Sequence, residues 1–395
     1  MGTEDWIADE LDSRRKEGLD RHLTVYPAAG GKITLGGKVV LNLASNDYLN
    51  LSQHPVVTAA AAEALHTFGA GASSSRLVTG TLPVHEELEC ALAKYKGYPA
   101  ALVFGSGYMA NSGIIASLIG RNDTVLVDKL AHASILDAAV LSRASLHRFR
   151  HNDATHLEEL LRKTGEGTRR LVVTESVFSM DGDIAPLRDI AAVSRAASAM
   201  LMIDEAHSTG VFGPGGSGLV RELQLESDVN VSMGTLSKAL GGYGGFIACS
   251  RQLREMMVNS ARSFIFSTGL PPASAAAALA ALGVLAAQQD MGRDLLAHAA
   301  LFRQRLRDAG LNTGDSASQI IPVIVGENRL AVELSNKLRE RGIVVAAIRP
   351  PTVPAGTARL RLSVTLAHTI EDLERAADEI IRAAGDLCVL SEREV

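Results

Sequence analysis

Lys238 is the single lysine in the segment 234–242, which is rich in small residues and follows an apolar run. A lysine in such surroundings loses its proton when it is desolvated, and its amine can then form a Schiff base with an aldehyde. An isolated lysine is usually a solvated surface residue. Here the glycines and the hydroxyls of Thr235 and Ser237 favour a chemical role, because a cofactor phosphate needs donors and close approach of the backbone. The segment therefore predicts an aldehyde-binding lysine beside a phosphate site.

Asp204 ends an apolar run and precedes Lys238 by 34 residues. A buried carboxylate is destabilising by several kcal/mol unless a cation faces it. The protonated pyridine nitrogen of pyridoxal 5′-phosphate (PLP) is such a cation, and the carboxylate would keep that ring protonated as an electron sink. The alternative for an aspartate in this place is a helix N-cap. His207 could donate to the phenolic oxygen of the ring, although a histidine by itself is more often structural.

Two further segments follow predicted strands. The segment 104–109 contains a strand end, a glycine turn and a helix start, where free N–H groups and the helix dipole form a phosphate cradle around Gly107 and Tyr108. The segment 128–134 places His132 where its imidazole could stack on a flat ring. A partly buried structural histidine is the alternative for His132.

The segment 213–218 formally matches the glycine pattern of dinucleotide-binding proteins. It follows no apolar run, and Pro214 and Gly216 favour a loop over a strand-to-helix turn. We therefore interpret this segment as a loop rather than a nucleotide site.

These residues need a scaffold in which strands end at a common edge. Short apolar runs alternate with helical segments at 101–104, 124–127, 171–174, 201–203 and 229–232. Continuous runs of this kind, separated by helices, predict a mostly parallel sheet that is covered on both faces. Ligands of such sheets bind beyond the carboxyl ends of the strands. Nearly all of the polar segments above directly follow one of these runs.

The pattern predicts three parts of the chain. Residues 1–50 form an N-terminal helix (5–23) and an arm with a strand near 38–43, and residues 51–290 form the large α/β domain. Residues 291–395 mix helical and strand patterns, which indicates a smaller α+β domain. Its predicted helices are 329–341 and 369–384, and its predicted strands are 343–348 and 358–364.

Charge and composition exclude several classes of protein. The net charge of −5 argues against nucleic acid as a partner, because a nucleic-acid-binding surface is basic. Three widely spaced cysteines are too few for a disulfide framework and do not fit a zinc site, so we expect a reducing cytoplasm. The acidic N-terminus does not resemble a signal peptide. The apolar segment 273–287 is shorter than the roughly 20 residues of a spanning helix, so we expect no membrane anchor.

The segments 73–80, 204–210 and 235–241 together resemble the α-oxoamine synthase family of fold-type I PLP enzymes, over nearly the whole chain from Arg21 to the region of His368. The resemblance implies an α/β fold-type I PLP-dependent transferase, with a mostly parallel sheet in the large domain and a smaller C-terminal α+β domain. Asn50 stands where the family usually has glycine, a departure that concerns local geometry and removes no chemical group.

The resemblance also implies roles for individual residues. The implied catalytic residues are Lys238, His132 and Asp204. The implied PLP-binding residues are Gly107, Tyr108, His132, Ser179, Asp204, His207, Thr235, Lys238, Ser267 and Thr268. The implied substrate-binding residues are Arg21, Asn46, Thr352 and Arg361, and no metal is implied. Ser267 and Thr268 match a segment that reaches the phosphate of the neighbouring subunit, which implies a homodimer with shared active sites.

The implied reaction is a PLP-dependent acyl transfer in which an amino acid is condensed with an acyl-CoA and carbon dioxide is released. The serines at 208 and 237 most resemble family members that use L-alanine and pimeloyl-CoA. Two alternatives stay open at this point. One is a sibling activity such as the condensation of glycine with acetyl-CoA, and the other is a catalytically dead partner subunit, which should have lost Lys238.

Overall fold

The structure is a computed structural model that describes residues 3–27, 30–35, 37–164 and 168–389. In chain order the strands are β1 (Lys32–Leu35), β2 (Lys38–Asn42), β3 (Ala100–Phe104), β4 (Thr124–Asp128), β5 (Ser145–Phe149), β6 (Arg170–Glu175), β7 (Met200–Asp204), β8 (Val231–Thr235), β9 (Gly245–Cys249), β10 (Ile320–Gly326), β11 (Ile343–Val344), β12 (Ala346–Ile348) and β13 (Ala358–Ser363).

The α-helices are α1 (Asp5–Lys16), α2 (Pro55–Phe68), α3 (Pro83–Lys96), α4 (Gly107–Leu118), α5 (Ala133–Ser142), α6 (Ala154–Lys163), α7 (Leu187–Ala196), α8 (Leu219–Glu222), α9 (Arg251–Ser260), α10 (Arg262–Ile265), α11 (Pro272–Ala287), α12 (Met291–Asp308), α13 (Asn328–Glu340) and α14 (Ile370–Asp386). The chain forms two compact units. One comprises residues 47–179 and 184–294, and the other comprises residues 1–46, 180–183 and 295–395.

The first unit is built on a seven-stranded sheet with the order β3-β9-β8-β7-β6-β4-β5. Strands β8, β7, β6, β4 and β5 pair in parallel, whereas β9 pairs antiparallel with both β8 and β3. Every residue of β4, β8 and β9 is buried, as expected for strands covered on both faces. The prediction of a mostly parallel sheet is therefore confirmed.

All five predicted apolar runs are strands of this sheet, β3, β4, β6, β7 and β8. Two strands of this sheet, β5 and β9, were not predicted. The edge strand β5 has the polar sequence Ser-Leu-His-Arg-Phe, and only Phe149 in it is fully buried. Strand β9 follows the glycines after Lys238 and is the antiparallel member, so its run lacks the preceding helix that marks the others.

The carboxyl ends of four adjacent strands carry the polar residues that matter for the site. Strands β4, β6, β7 and β8 end at Asp128, Glu175, Asp204 and Thr235. Because these strands are parallel neighbours, the four side chains come to one edge of the sheet. The segment 213–218 contains a one-turn helix at Pro214–Gly216 and follows no strand, which confirms the interpretation as a loop.

The second unit contains two three-stranded sheets, with the orders β1-β2-β11 and β10-β13-β12. The predicted strand 343–348 is thus divided between two sheets as β11 and β12. Helices α13 and α14 lie within two residues of their predicted bounds. Helix α1 is shorter than predicted because Gly18 takes a φ of 64° just after it, a left-handed conformation that ends helices.

Among the described residues, no single helix is long and apolar enough to cross a membrane. Helices α11 and α12, which are joined by a sharp bend, reach the length and apolar composition of a membrane span only when they are taken together. Half of the 16 residues of α11 are buried within the protein.

Candidate active site

A cavity of about 230 Å³ opens at the carboxyl ends of β6, β7 and β8. Its walls come from these strand ends, the N-termini of α4 and α5, and the loop that carries Lys238. The lining residues are Ser106, Gly107, Tyr108, Asn111, His132, Ser134, Glu175, Asp204, Ala206, His207, Met233, Thr235, Ser237 and Lys238. Seven of the ten residues predicted to bind PLP therefore line one cavity: Gly107, Tyr108, His132, Asp204, His207, Thr235 and Lys238.

Asp204 is 5% exposed at the end of β7, and both of its oxygens accept hydrogen bonds. Its Oδ2 accepts from Nδ2 of Asn111 on α4 at 3.0 Å, and its Oδ1 accepts from the N–H of Ala206 at 2.9 Å. Hydrogen bonds of this kind stabilise the charged form of a carboxylate and fix its orientation. Asp204 is thus held in a fixed orientation in the wall of the cavity.

His132 is the N-cap residue of α5, and its imidazole is anchored at one edge. The ring Nδ1 and the Oγ of Ser134 lie 2.8 Å apart, and the N–H of Ser134 also points at Nδ1, 3.2 Å away. The backbone N–H of His132 donates to Oε1 of Glu175 at 2.6 Å. Removal from bulk water lowers the pKa of His132, and the charge of Lys238 adds to this effect while that of Asp204 opposes it. The ring is therefore favoured in its neutral form.

Glu175 is a second buried acid in the cavity wall and is 2% exposed. It lies directly beside Asp204, because the two residues are register partners of the parallel strands β6 and β7. Burial raises the pKa of Glu175 well above its ordinary value, and the charge of Asp204 adds to the increase, while the charge of Lys238 opposes it. Glu175 is thus favoured as a neutral carboxylic acid.

His207 lies on the side of the cavity that the turn after β7 provides. Its Nδ1 is 2.7 Å from Oη of Tyr48, and both side chains are buried. A tyrosine hydroxyl at this distance fixes the rotation of the imidazole in the cavity wall.

The N-terminus of α4 provides free N–H groups at one end of the cavity. Ser106 caps the helix by accepting from the N–H of Met109 at 3.1 Å. A Cβ atom at Gly245 would lie 2.6 Å from the nitrogen of Gly107, and a Cβ at Gly107 would lie 3.1 Å from Cε of Met233. Side chains in these places would fill the cradle, so both glycines keep it open.

The loop after β8 brings Lys238 to the cavity. Thr235 Oγ1 lies 2.7 Å from Oγ of Ser237 and 2.9 Å from the carbonyl oxygen of Gly244, to which it donates. A tight turn follows, in which the N–H of Gly241, at a φ of 65°, donates to the carbonyl of Lys238 at 2.9 Å. Two hydroxyls and one half-buried amine therefore face the same space as the N-terminus of α4.

Tyr108 covers the outer side of this end. Its Oη donates to Oδ2 of Asp137 at 2.6 Å, and this hydrogen bond raises the pKa of Tyr108. About half of the tyrosine side chain is exposed, so its ring is open to a further contact.

Three residues of the predicted cofactor set do not line this cavity: Ser179, Ser267 and Thr268. Ser179 is half-buried after β6, and Thr268 is exposed and forms an antiparallel bridge with Ser75.

The four residues predicted for the substrate all belong to the second unit. Nη1 of Arg361 donates to Oδ1 of Asn46 at 3.2 Å and to Oγ of Ser363 at 2.8 Å, so the structure brings Arg361 and Asn46 together. Arg21 and Thr352 are exposed.

Four residues of this site were missed by the sequence analysis: Asn111, Ser134, Glu175 and Tyr48. Glu175 carried a usable signal, because an acid ends its apolar run as Asp204 ends the next one. Asn111 and Ser134 lie inside helical patterns, and Tyr48 reaches His207 across 159 positions. No local pattern predicts contacts of this kind.

The residues present fit PLP group by group. Lys238 offers an amine for the aldehyde, Asp204 a carboxylate for the pyridine nitrogen, and His132 a neutral aromatic face. The N-terminus of α4, with Ser106 and Thr235, offers N–H and hydroxyl groups for the phosphate.

Comparison with known proteins gives one family. The model of the family described as aminotransferase class I and II matches residues 38–380. The chain is 48% identical over 387 residues to an 8-amino-7-oxononanoate synthase of Geobacter sulfurreducens, a match that covers 97% of this chain and 99% of that protein.

Two solved structures extend the comparison. A serine palmitoyltransferase from S. paucimobilis with PLP and myriocin bound is 33% identical with a TM-score of 0.92, covering 98% of each chain. An 8-amino-7-oxononanoate synthase from Francisella tularensis is 29% identical with a TM-score of 0.77, covering 88% of this chain and 98% of that one. This chain belongs to the PLP-dependent aminotransferase class I and II family and, within it, to the α-oxoamine synthases.

Proposed function

We propose that the protein is an 8-amino-7-oxononanoate synthase of biotin biosynthesis, which condenses L-alanine with pimeloyl-CoA and releases CoA and carbon dioxide. The observation that carries this proposal is the 48% identity, over 97% of the chain, to a protein of that name. The cavity supports it, because Lys238, Asp204 and His132 line one space of a size and polarity suited to PLP. A dead partner subunit is not favoured, since these three residues are all present.

When bound, PLP supplies a protonated aromatic ring that stabilises negative charge at the amino acid's Cα. Asp204, fixed by Asn111 and Ala206, would offer its carboxylate to the ring nitrogen. His132, held through Ser134, would place its neutral imidazole against the ring and help to orient the substrate.

Lys238 would hold PLP before the amino acid arrives, and its amine would then remove the Cα proton. The turn at Gly241 and the hydroxyls of Thr235 and Ser237 fix the loop on which this amine lies. Arg361, with Asn46 beside it, would bind the carboxylate of L-alanine, and Arg21 and Thr352 would contact the substrate. The N-terminus of α4 and Thr235 would hold the phosphate, and His207 and Ser179 would contact the phenolic oxygen.

The test of this function is product formation by the purified PLP-loaded protein. It should be supplied with L-alanine, glycine or L-serine, each paired with pimeloyl-CoA, acetyl-CoA or palmitoyl-CoA, and the products identified by mass. We expect the highest kcat/KM for L-alanine with pimeloyl-CoA. A higher value for another pair would assign the chain to a sibling activity.

A second candidate is a serine palmitoyltransferase activity, favoured by the TM-score of 0.92 to the solved structure of that name. The two candidates differ in amino acid and acyl chain, so the same assay separates them. The 48% identity to the Geobacter protein, against 33% to the serine palmitoyltransferase, favours L-alanine and pimeloyl-CoA.

We further propose a cytoplasmic homodimer in which Ser267 and Thr268 reach the phosphate of the neighbouring subunit. The three cysteines are free, which is in keeping with a reducing compartment. Thr268 is paired with Ser75, and the nearby side chains of Val78 and Phe266 are 73% and 69% exposed. Exposed apolar side chains around a hydroxyl-bearing segment suit a subunit interface.

Subunit complementation tests the shared site. Lys238→Ala and Thr268→Glu should each be nearly inactive, since the second places a negative charge against the phosphate. Unfolding and refolding the two together should yield about half heterodimers with one intact site each, and so about a quarter of wild-type activity. If Thr268 instead served its own chain, no activity would return.

A further inference from the structure

Three adjacent strands of the sheet each end at a buried acid: Asp128 on β4, Glu175 on β6 and Asp204 on β7. The proposed function assigns a charge to Asp204 alone, opposite the ring nitrogen. The other two acids therefore need an explanation, because an unmatched carboxylate at this edge would compete with Asp204 for the same cation.

The three acids differ in how many hydrogen bonds their side chains accept. Asp128 accepts from the N–H of Leu130 at 2.8 Å, from the N–H of Asn152 at 2.9 Å and faces Nδ1 of His151 at 3.0 Å. Asp204 accepts from two donors, as described above. Among the described residues, one group donates to Glu175, the N–H of His132 at 2.6 Å.

We propose that Glu175 is a positioning residue that works as a neutral carboxylic acid. Its carbonyl oxygen Oε1 holds the backbone of His132, and so the imidazole that faces the cofactor, without a second negative charge beside Asp204. This inference rests on the role of His132 in the proposed function.

The charges around Glu175 agree with this state. The groups that face it are Asp204 and Asp128 from the neighbouring strands, Lys238 from the loop after β8, and the neutral His132 from α5. Two anions disfavour a charge on Glu175 and one cation favours it. That cation lines the cavity with Asp204 and is only half-buried, whereas Glu175 is 2% exposed. Burial and the two acids therefore decide the protonation state.

The substitution Glu175→Gln tests whether the acceptor oxygen alone is sufficient, because glutamine keeps that oxygen and is always neutral. Glu175→Leu removes the acceptor at similar volume. We expect the PLP dissociation constant of the reconstituted protein to stay within about threefold of wild type for Glu175→Gln and to rise at least about tenfold for Glu175→Leu. The same acid-to-amide exchange at Asp128 is the matched control. Asp128→Asn should destabilise the protein in urea, because an amide nitrogen cannot accept the third hydrogen bond.

Infrared spectroscopy of the PLP-loaded protein gives a readout that does not depend on turnover. The wild type minus Glu175→Gln difference spectrum at pH 7 should contain the C=O stretch of a carboxylic acid and lack the paired bands of a carboxylate. If Glu175→Leu does not fold, this spectrum and the Glu175→Gln affinity still decide the question.

Three results would overturn the inference. They are carboxylate bands at pH 7, a loss of PLP affinity in Glu175→Gln as large as in Glu175→Leu, and wild-type affinity in Glu175→Leu. Failure of the wild type to convert L-alanine and pimeloyl-CoA would count against the proposed function alone, because neither readout uses these substrates.

Discussion

Asp204 and Glu205 are neighbouring acids at the end of strand β7, yet they contact different parts of the first unit. Asp204 faces the cavity, where its partners are Asn111 and a backbone N–H. Glu205 is fully buried in an ion pair with Lys96 of α3, with 2.6 Å between Oε2 and Nζ. The carboxylate of Asp204 can contact a ligand in the cavity, whereas that of Glu205 is enclosed by protein groups.

Both carboxylate oxygens of Glu205 are occupied by contacts with protein groups. Oε2 accepts from Oγ of Ser232 at 2.7 Å, and Oε1 accepts from Oγ of Ser208 at 3.1 Å and from the N–H of Val220 at 3.0 Å. A Cβ atom at Gly218 would lie 2.6 Å from Nζ of Lys96, so glycine there admits the pair. The comparison teaches that an acid becomes a candidate for catalysis when part of its environment is left open. The same comparison holds for Lys238, which lines the cavity, and Lys96, which is 1% exposed.

The largest effect should come from removing the amine of the cavity. Lys238→Ala should lower kcat by at least about 10³-fold, because covalent attachment of PLP and transfer of the Cα proton both need it. The unfolding free energy should change by less than about 1 kcal/mol, since the loop keeps its backbone hydrogen bonds. Steady-state kinetics and urea unfolding measure the two quantities. Activity within tenfold of wild type would remove Lys238 from the mechanism.

Asp204→Asn should lower kcat by about 10²–10³-fold, because a neutral amide cannot hold a proton on the ring nitrogen. PLP should remain bound, as judged by its absorbance after gel filtration. Rapid-mixing measurement of Cα proton exchange in L-alanine would give the affected step directly. A wild-type exchange rate in Asp204→Asn would show that the charge of Asp204 is dispensable.

Changes to the buried ion pair of Lys96 and Glu205 should affect stability much more than activity. Lys96→Met should lower the unfolding free energy by about 3–5 kcal/mol, because it leaves Glu205 buried without its cation. The folded fraction should keep a kcat within about threefold of wild type. In the double variant Lys96→Met/Glu205→Gln, part of the lost stability should return, since no buried charge remains. Additive losses in urea unfolding would mean that Lys96 and Glu205 do not interact.

The smallest effect concerns pH. Burial lowers the pKa of His132, so the unfolded chain takes up a proton on this residue at a higher pH than the folded chain does. Stability due to this group is therefore complete above the ordinary value of 6.5 and is lost as the pH falls below it. The PLP-loaded wild type should lose more stability between pH 7.5 and 5 than His132→Gln does. Equal losses in urea unfolding at the two pH values would contradict the assignment.

The sequence was sufficient where a residue follows directly from a local pattern. Four of the five parallel-paired strands, β4, β6, β7 and β8, were readable as apolar runs. Lys238, Asp204 and His132 could be singled out because each follows one of these runs. Asn50 illustrates how resemblance and structure agree in detail. It takes a φ of 56°, a left-handed conformation that glycine favours and that asparagine tolerates better than most residues.

Contacts between distant positions could not be read in this way. The sequence determined the fold class, most strands of the large sheet and the residues with reactive groups, because periodicity and strand ends are local properties. Only the tertiary structure decided which groups are open to a ligand and which are closed. Glu205, Glu175 and Asp204 have the same kind of functional group, and what separates them is their neighbours: Lys96, the N–H of His132 and the cavity. Burial and partners set the charge of a carboxyl group, and both depend on chain segments that meet only after folding.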